Sequence, residues 1–103
     1  MRLFSSIQGF EWDKGNKDKN WTKHRVSNEE CEEVFFDPHK RLLDVGKYFA
    51  SERRCLLVGK TSLGRVLFIV FVIREKKIRV ISARDLNRRE RGLYEKGHQA
   101  PKV

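Results

Sequence analysis

The chain has 103 residues, 39% of them hydrophobic and 36% charged, so we expect one domain with a small core under a heavily charged surface. Its 23 Lys and Arg outweigh 14 Asp and Glu, and a net charge of +9 favours a polyanionic partner over a merely basic surface. Cys31 and Cys55 lack the spacing of a zinc site or a disulfide framework and suit buried free thiols. No apolar run reaches membrane-spanning length and no signal-peptide core is apparent, so we expect a cytoplasmic protein with no membrane contact.

The first predicted elements are an edge strand and a polar helix. Residues 1–6 are expected to be loose, and residues 7–12 alternate in polarity around Gly9, which weakens the strand. Asp13 suits the N-cap of a helix over about 14–24. Four polar side chains of that helix share one stripe at helical spacing: Asn16, Asn20, Lys23 and His24. Either the helix is solvated and anchored by Trp21, or this stripe faces a ligand; the spacing favours a ligand.

A second helix and a run of strands follow. Ser27 and Glu30 form a capping box that begins the helix, and Pro38 ends it. The predicted strands are antiparallel and cover residues 41–45, 54–61, 66–73 and 78–86. A loop joins the first two, and Gly59 marks a bulge or a close approach. The turn of the last hairpin lacks Asn-Gly or Asp-Gly, so its type and register stay open.

The last hairpin carries the arginines of interest. In a regular second strand Ser82 and Arg84 share one face and Arg79 lies on the other. A turn at residues 75–76 puts Arg74 about 23 Å from Arg84, at about 3.3 Å per residue. These two side chains therefore cannot hold one phosphate, but they can line a track along an extended polyanion.

The C-terminal part predicts a final helix. Asn87 and Glu90 form a second capping box, the helix runs to about Lys96, and Gly97 follows its end. A frayed tail completes the chain. Helices grouped apart from a run of strands indicate an α+β fold, with a small antiparallel or mixed sheet of four to five strands, two N-terminal helices and one C-terminal helix.

The chain lacks phosphate-loop, metalloprotease and nucleophile-elbow motifs, and we expect neither a metal nor a cofactor. Cleavage of RNA needs a base for the 2′-hydroxyl, cations at the phosphorane and an acid for the leaving oxygen. The residues of suitable type are Lys23, His24, Arg79, Arg84 and Tyr94. Further RNA contacts are expected from Asn16, Asn20, Arg74, Ser82 and Arg88. Three of the catalytic candidates have a specific structural alternative: His24 as a helix cap or packing residue, Arg79 paired with Glu75 or Asp85, and Tyr94 in the core with a polar tip.

Several motifs resemble those of the BrnT family of toxins, over about residues 7–96. The first half of the resemblance rests on Phe10 to Asp13, Asn20, Lys23, His24, Val26, Ser27, Glu30, Val34, Phe35, Asp37 and Pro38. The second half rests on Glu52, Arg53, Gly59, the segment 78–84, Glu90 and Tyr94. The chain departs from the family pattern at two positions. Many members have lysine at the position of Asn16, and most have an apolar residue at the position of Asn28. The segment 38–53 matches little.

The resemblance implies a RelE-like fold and a bacterial type II toxin–antitoxin system. Such toxins are ribonucleases that arrest translation. Each is neutralised by an antitoxin with a ribbon-helix-helix DNA-binding domain, plausibly in a 2:2 complex that reaches operator DNA only through the antitoxin. The first hypothesis is thus a metal-independent endoribonuclease. The alternatives are a non-catalytic module that binds nucleic acid or antitoxin, and a structural subunit whose charge is incidental.

Overall fold

The computed structural model describes residues 6–49 and 52–98, and within them the side chains of 6–43 and 53–94. The helices are α1 (Lys19–His24), α2 (Asn28–Phe35) and α3 (Arg91–His98), with a 3₁₀ turn at Arg88–Glu90. The strands are β1 (Gly9–Phe10), β2 (Arg41–Phe49), β3 (Glu52–Lys60), β4 (Val66–Arg74) and β5 (Lys77–Asp85). They form one sheet in the order β1-β5-β4-β3-β2, antiparallel except that β1 runs parallel to β5. The predicted α+β class with a mixed sheet is confirmed.

Several predicted boundaries were wrong. Strand β1 lies at the sheet edge as expected but is only two residues long. Strands β2 and β3 form a long hairpin through most of the predicted loop, with two register shifts in β2 that a pattern of alternation does not reveal. Gly97 lies inside α3 rather than after it. A loose start was predicted for residues 1–6 and a frayed tail for residues 98–103; of these, residues 1–5 and 99–103 lie outside the described residues.

The turn between β4 and β5 is resolved by its backbone angles. Glu75 and Lys76 both have positive φ, 52° and 67°, and Arg74 pairs with Lys77. Positive φ at both central residues is the type I′ geometry that suits the twist of a two-residue hairpin. This turn therefore sets which residue of β4 pairs with each arginine of β5.

Helix α2 covers one face of the sheet and forms the core with it. Its capping box is confirmed, because the Ser27 hydroxyl accepts from the Glu30 N–H and the Glu30 carboxylate accepts from the Ser27 N–H. Phe35 packs edge-on against Phe71 of β4, with ring centroids 5.0 Å apart. The expected close approach at Gly59 is also present, since a Cβ there would lie 2.6 Å from Val34 Cγ1. This helix is a structural element.

Both cysteines are buried and free. Burial raises the pKa of the Cys31 thiol to about 12, and neighbouring glutamates add to this shift. A thiol with so high a pKa is not ionised at neutral pH and is therefore a poor nucleophile. Among residues 6–49 and 52–98, none of the helices has the length and apolar character needed to cross a membrane.

Candidate active site at the end of strand β5

A β-bulge brings the candidate side chains of β5 to one face of the sheet. Ile81 is the extra residue in the register between β4 and β5. The flanking pairs are Val72–Arg79, Val70–Ser82 and Phe68–Arg84. Directly paired residues point to the same face, so Arg79, Ser82 and Arg84 all lie on the face opposite α2. The prediction that Arg79 lies on the other face was wrong, because it assumed a regular strand.

Arg79 is held by the segment that follows β1. Its guanidinium donates two hydrogen bonds to the Asp13 carboxylate, at 2.7 and 2.9 Å, and one to Glu11 at 3.3 Å. The hydrogen bond with Asp13 raises the pKa of Arg79 and lowers that of Asp13. Arg74 lies 3.9 Å from the same Glu11 carboxylate. The cations at this end of β5 are thus partly neutralised within the protein, through carboxylates other than those expected from the sequence.

Arg84 is oriented by a second carboxylate and by an aromatic ring. It makes a two-pronged ion pair with Glu90, at 2.7 and 2.8 Å, and its guanidinium lies 4.7 Å from the centre of the Phe68 ring. The pair with Arg84, helped by the Asn87 N–H, lowers the pKa of Glu90 from 4.5 to about 2. About a third of the Arg84 side chain remains exposed, 35%. The residue is therefore fixed in position yet open to solvent on one side.

Asn16 and Asn20 complete the hydrogen bonding of β5 where the short strand β1 leaves its edge open. The Asn16 amide donates to the backbone oxygens of Glu11 and Val80, at 3.0 and 3.1 Å. The Asn20 side-chain oxygen accepts from the Ala83 N–H at 3.0 Å. Both side chains are nearly inaccessible, 2% and 4% exposed. They replace the backbone groups of a neighbouring strand, which a buried edge requires.

The helix that carries Asn20 differs from its prediction. Helix α1 begins at Lys19 rather than at residue 14, and Asp13 accepts instead from the Gly15 N–H in a local turn. Asn16 therefore does not share a helical stripe with the later residues. Trp21, which would anchor the helix in the solvated-helix alternative, is 47% exposed and stacks on Arg25. The anchor is the buried amide of Asn20, since hydrogen bonding to β5 positions α1 where apolar burial does not.

Arg65 joins three elements at the C-terminal end of β5. Its guanidinium pairs with Asp85 at 2.6 and 2.9 Å and with Glu30 at 3.1 Å. It also donates to the backbone oxygens of His24 and Arg25, at 3.0 and 2.7 Å, at the end of α1. The hydrogen bond to Asp85 raises the pKa of Arg65 and lowers the pKa of Asp85. Electrostatic interaction with His24 also lowers the pKa of Asp85. Sequence reasoning missed Arg65, because an arginine at the start of a strand carries no specific signal.

Lys23 and His24 lie at this junction with exposed side chains. Among the residues whose side chains the structure describes, neither makes an ion pair. Arg65 donates hydrogen bonds both to the His24 backbone oxygen and to the Asp85 carboxylate, at the end of β5 that also carries Arg84. The structure thus brings the end of α1 and the end of β5 together. Arg88 is exposed on the neighbouring 3₁₀ turn, and Ser82 is half-buried on the sheet.

Tyr94 forms its side-chain hydrogen bond with a residue outside this junction. Its hydroxyl donates to Asp37 at 2.8 Å, and the residue is 7% exposed. Burial, followed by the bond to Asp37, raises the pKa of Tyr94 to about 12. Burial opposes ionisation of Asp37, but its hydrogen bonds, including two from the backbone of His39 and Lys60, hold its pKa below the usual range. This buried pair fastens α3 to the loop after α2.

The part of the chain that the structure describes contains no group of three or more His, Cys, Asp or Glu side chains arranged to hold a metal ion. Comparison with curated proteins gave no match. A family model described as "Ribonuclease toxin, BrnT, of type II toxin-antitoxin system" matches residues 12–90, most of the 103-residue chain. The matched range includes Lys23, His24, Arg79 and Arg84 and excludes Tyr94. The chain belongs to the BrnT family of ribonuclease toxins of type II toxin–antitoxin systems.

Proposed function

We propose that this protein is a metal-independent endoribonuclease whose active site lies where α1 meets the end of β5. The observation that carries the proposal is the anchoring of the His24 backbone to Asp85 through Arg65. It supports a site in which an exposed imidazole and the Lys23 ammonium lie beside the strand that carries Arg84. Membership of a ribonuclease family gives the reaction class.

The residue types at this site suit cleavage by the 2′-hydroxyl of RNA. His24 removes the 2′-hydroxyl proton, since imidazole is the side chain most often used for general acid–base catalysis. The 2′-oxygen attacks phosphorus, and the bond to the 5′-oxygen breaks, giving a 2′,3′-cyclic phosphate and a 5′-hydroxyl end. Lys23 and Arg84 stabilise the charge that develops on the phosphorane oxygens. A protonated side chain or water supplies the proton for the leaving oxygen.

The proposal assigns supporting roles to the other candidates. Ser82, Arg74 and Arg88 are accessible enough to contact the RNA backbone. Asn16, Asn20 and Tyr94 are buried and bonded to the protein, and their proposed contribution is to hold α1, β5 and α3 in place. Arg79 is 13% exposed and paired with Asp13, so we give it the same positioning role.

The test uses purified protein and a structured RNA in the presence of EDTA. We expect 5′-hydroxyl and 2′,3′-cyclic phosphate products from the wild type, and about 10²–10⁴-fold slower cleavage by His24→Ala. Arg84→Ala should be slower by about 10²–10³-fold, and Arg84→Lys less affected. The matched control is His39→Ala, which removes an exposed imidazole elsewhere. An inert wild type, or equal cleavage by a His24→Ala, Arg84→Ala double variant, would refute the proposal.

A second candidate function is binding of RNA without cleavage. The observation that favours it is that Arg79 and Arg84 are each already paired with carboxylates, which reduces the charge they offer to phosphate. This alternative predicts salt-dependent RNA binding with no product. Induction of the protein in a bacterial host separates the two, since only an active ribonuclease arrests growth.

The family implies a cognate antitoxin. We propose that the antitoxin carries a ribbon-helix-helix DNA-binding domain, forms a 2:2 complex with the toxin and alone contacts operator DNA. We further propose that the free toxin acts in the cytoplasm and inhibits translation. Co-expression with the antitoxin should restore growth, and light scattering of the purified complex should give the mass of two copies of each chain. A complex of different composition would refute the stoichiometry alone.

A further inference from the structure

A cleft of about 470 Å³ opens between the ends of β4 and β5 and the start of α3. This volume falls in the range of protein ligand sites, about 300–1,000 Å³. Its apolar lining comes from Val66, Leu86 and Tyr94. Such a mixture of apolar wall and charged rim suits a nucleotide, in which a flat base is joined to an anionic phosphate.

The charges of the cleft are arranged unequally. Arg65 and Asp85 line it but neutralise each other through their two-pronged pair. Arg91, at the start of α3, also lines it and is exposed. Arg91 makes no ion pair with any side chain that the structure describes. Its planar fork donates two hydrogen bonds at fixed geometry, which suits phosphate as a ligand.

The cleft borders the end of β5 that carries Arg84. Asp85 and Leu86 line it and directly follow Arg84 in the chain. Arg65 lines it as well and holds the His24 backbone. An RNA strand whose scissile phosphate lies at Arg84 would thus enter the cleft with a neighbouring nucleotide.

We propose that this cleft is a nucleotide-binding subsite for RNA, in which a base packs against Val66 and Leu86 and its phosphate binds Arg91. The inference rests on the proposed function and adds the place where the substrate beside the scissile bond is held. Nothing about cleavage itself requires Arg91, so substrate binding is the property that reports on it.

The test measures binding of a fluorescent 2′-O-methyl RNA oligonucleotide, which lacks the free 2′-hydroxyl and is not cleaved. Arg91→Gln should weaken binding by about tenfold, as expected for loss of a charge-assisted hydrogen bond. It should also lower the slope of log affinity against log salt by about 0.7, the value for one phosphate contact on a single strand. Arg91 is exposed, so the variant is expected to fold normally.

The matched control is Arg89→Gln. Arg89 is exposed on the 3₁₀ turn two residues earlier and does not line the cleft. The Arg89→Gln variant loses the same charge from the same region, and its affinity for the RNA oligonucleotide should stay within about twofold of the wild type. Equal losses in Arg91→Gln and Arg89→Gln would overturn the subsite while leaving the ribonuclease proposal intact. A wild type that neither binds nor cleaves RNA would overturn both.

Discussion

The buried amide of Asn20 offers the sharpest test of how α1 is held on the sheet. Asn20→Ala removes the acceptor that lies 3.0 Å from the Ala83 N–H, in a site where Asn20 is 4% exposed and Ala83 is fully buried. A buried donor left without a partner costs about 1–3 kcal/mol. We therefore expect the free energy of unfolding to fall by about 2 kcal/mol, equivalent to about 8–16 °C in Tm for a chain of this size.

The control is Trp21→Ala on the same helix. Side-chain size alone predicts that loss of the tryptophan is more destabilising than loss of the asparagine, and Trp21 is the anchor of the helix in one of the two interpretations of the sequence. In the structure Trp21 is 47% exposed and contacts Arg25, so its removal should cost about 0.5–1 kcal/mol. Unfolding in urea, followed by far-UV circular dichroism, gives both values without relying on tryptophan fluorescence.

Two results would refute this reasoning. The first is a greater loss of stability in Trp21→Ala than in Asn20→Ala. The second is an Asn20→Ala protein of unchanged stability with weakened RNA binding, which would support the prediction from sequence that Asn20 contacts RNA.

Two further predictions concern packing and pH. Gly59→Ala should destabilise the protein by about 1–3 kcal/mol, because the new Cβ would meet buried Val34 at 2.6 Å. Gly92→Ala, in α3 with open space around it, should stabilise the protein by about 0.5–1 kcal/mol in the same urea assay. A Gly59→Ala protein more stable than Gly92→Ala would contradict the packing argument. Glu90 has a folded pKa of about 2 against an ordinary 4.5, so its pair with Arg84 stabilises the folded state above pH 4.5 and loses this effect as pH falls toward 2. The stability difference between wild type and Glu90→Gln, measured from pH 7 to 2, should therefore narrow at low pH, and a constant difference would show that the ion pair is not its source.

Local features of this protein follow from the sequence itself. The two capping boxes, at Ser27 with Glu30 and at Asn87 with Glu90, are confirmed because they depend on side chains three residues apart. The hairpin and the α+β class follow equally from apolar runs and polar breaks. These signals need only a few consecutive residues, so they can be read without knowing what packs against them.

The arrangement of the site was decided by tertiary structure. The bulge at Ile81 places Arg79 on the same face of the sheet as Arg84, and the bulge depends on the register between β4 and β5. Asn20 is buried because β1 is too short to cover the edge of β5, and Arg65 joins residues 20 to 41 positions away in the chain. Strand register and long-range hydrogen bonds arise from pairing between segments that are distant in the chain. A local sequence pattern therefore does not show which residues will be partners.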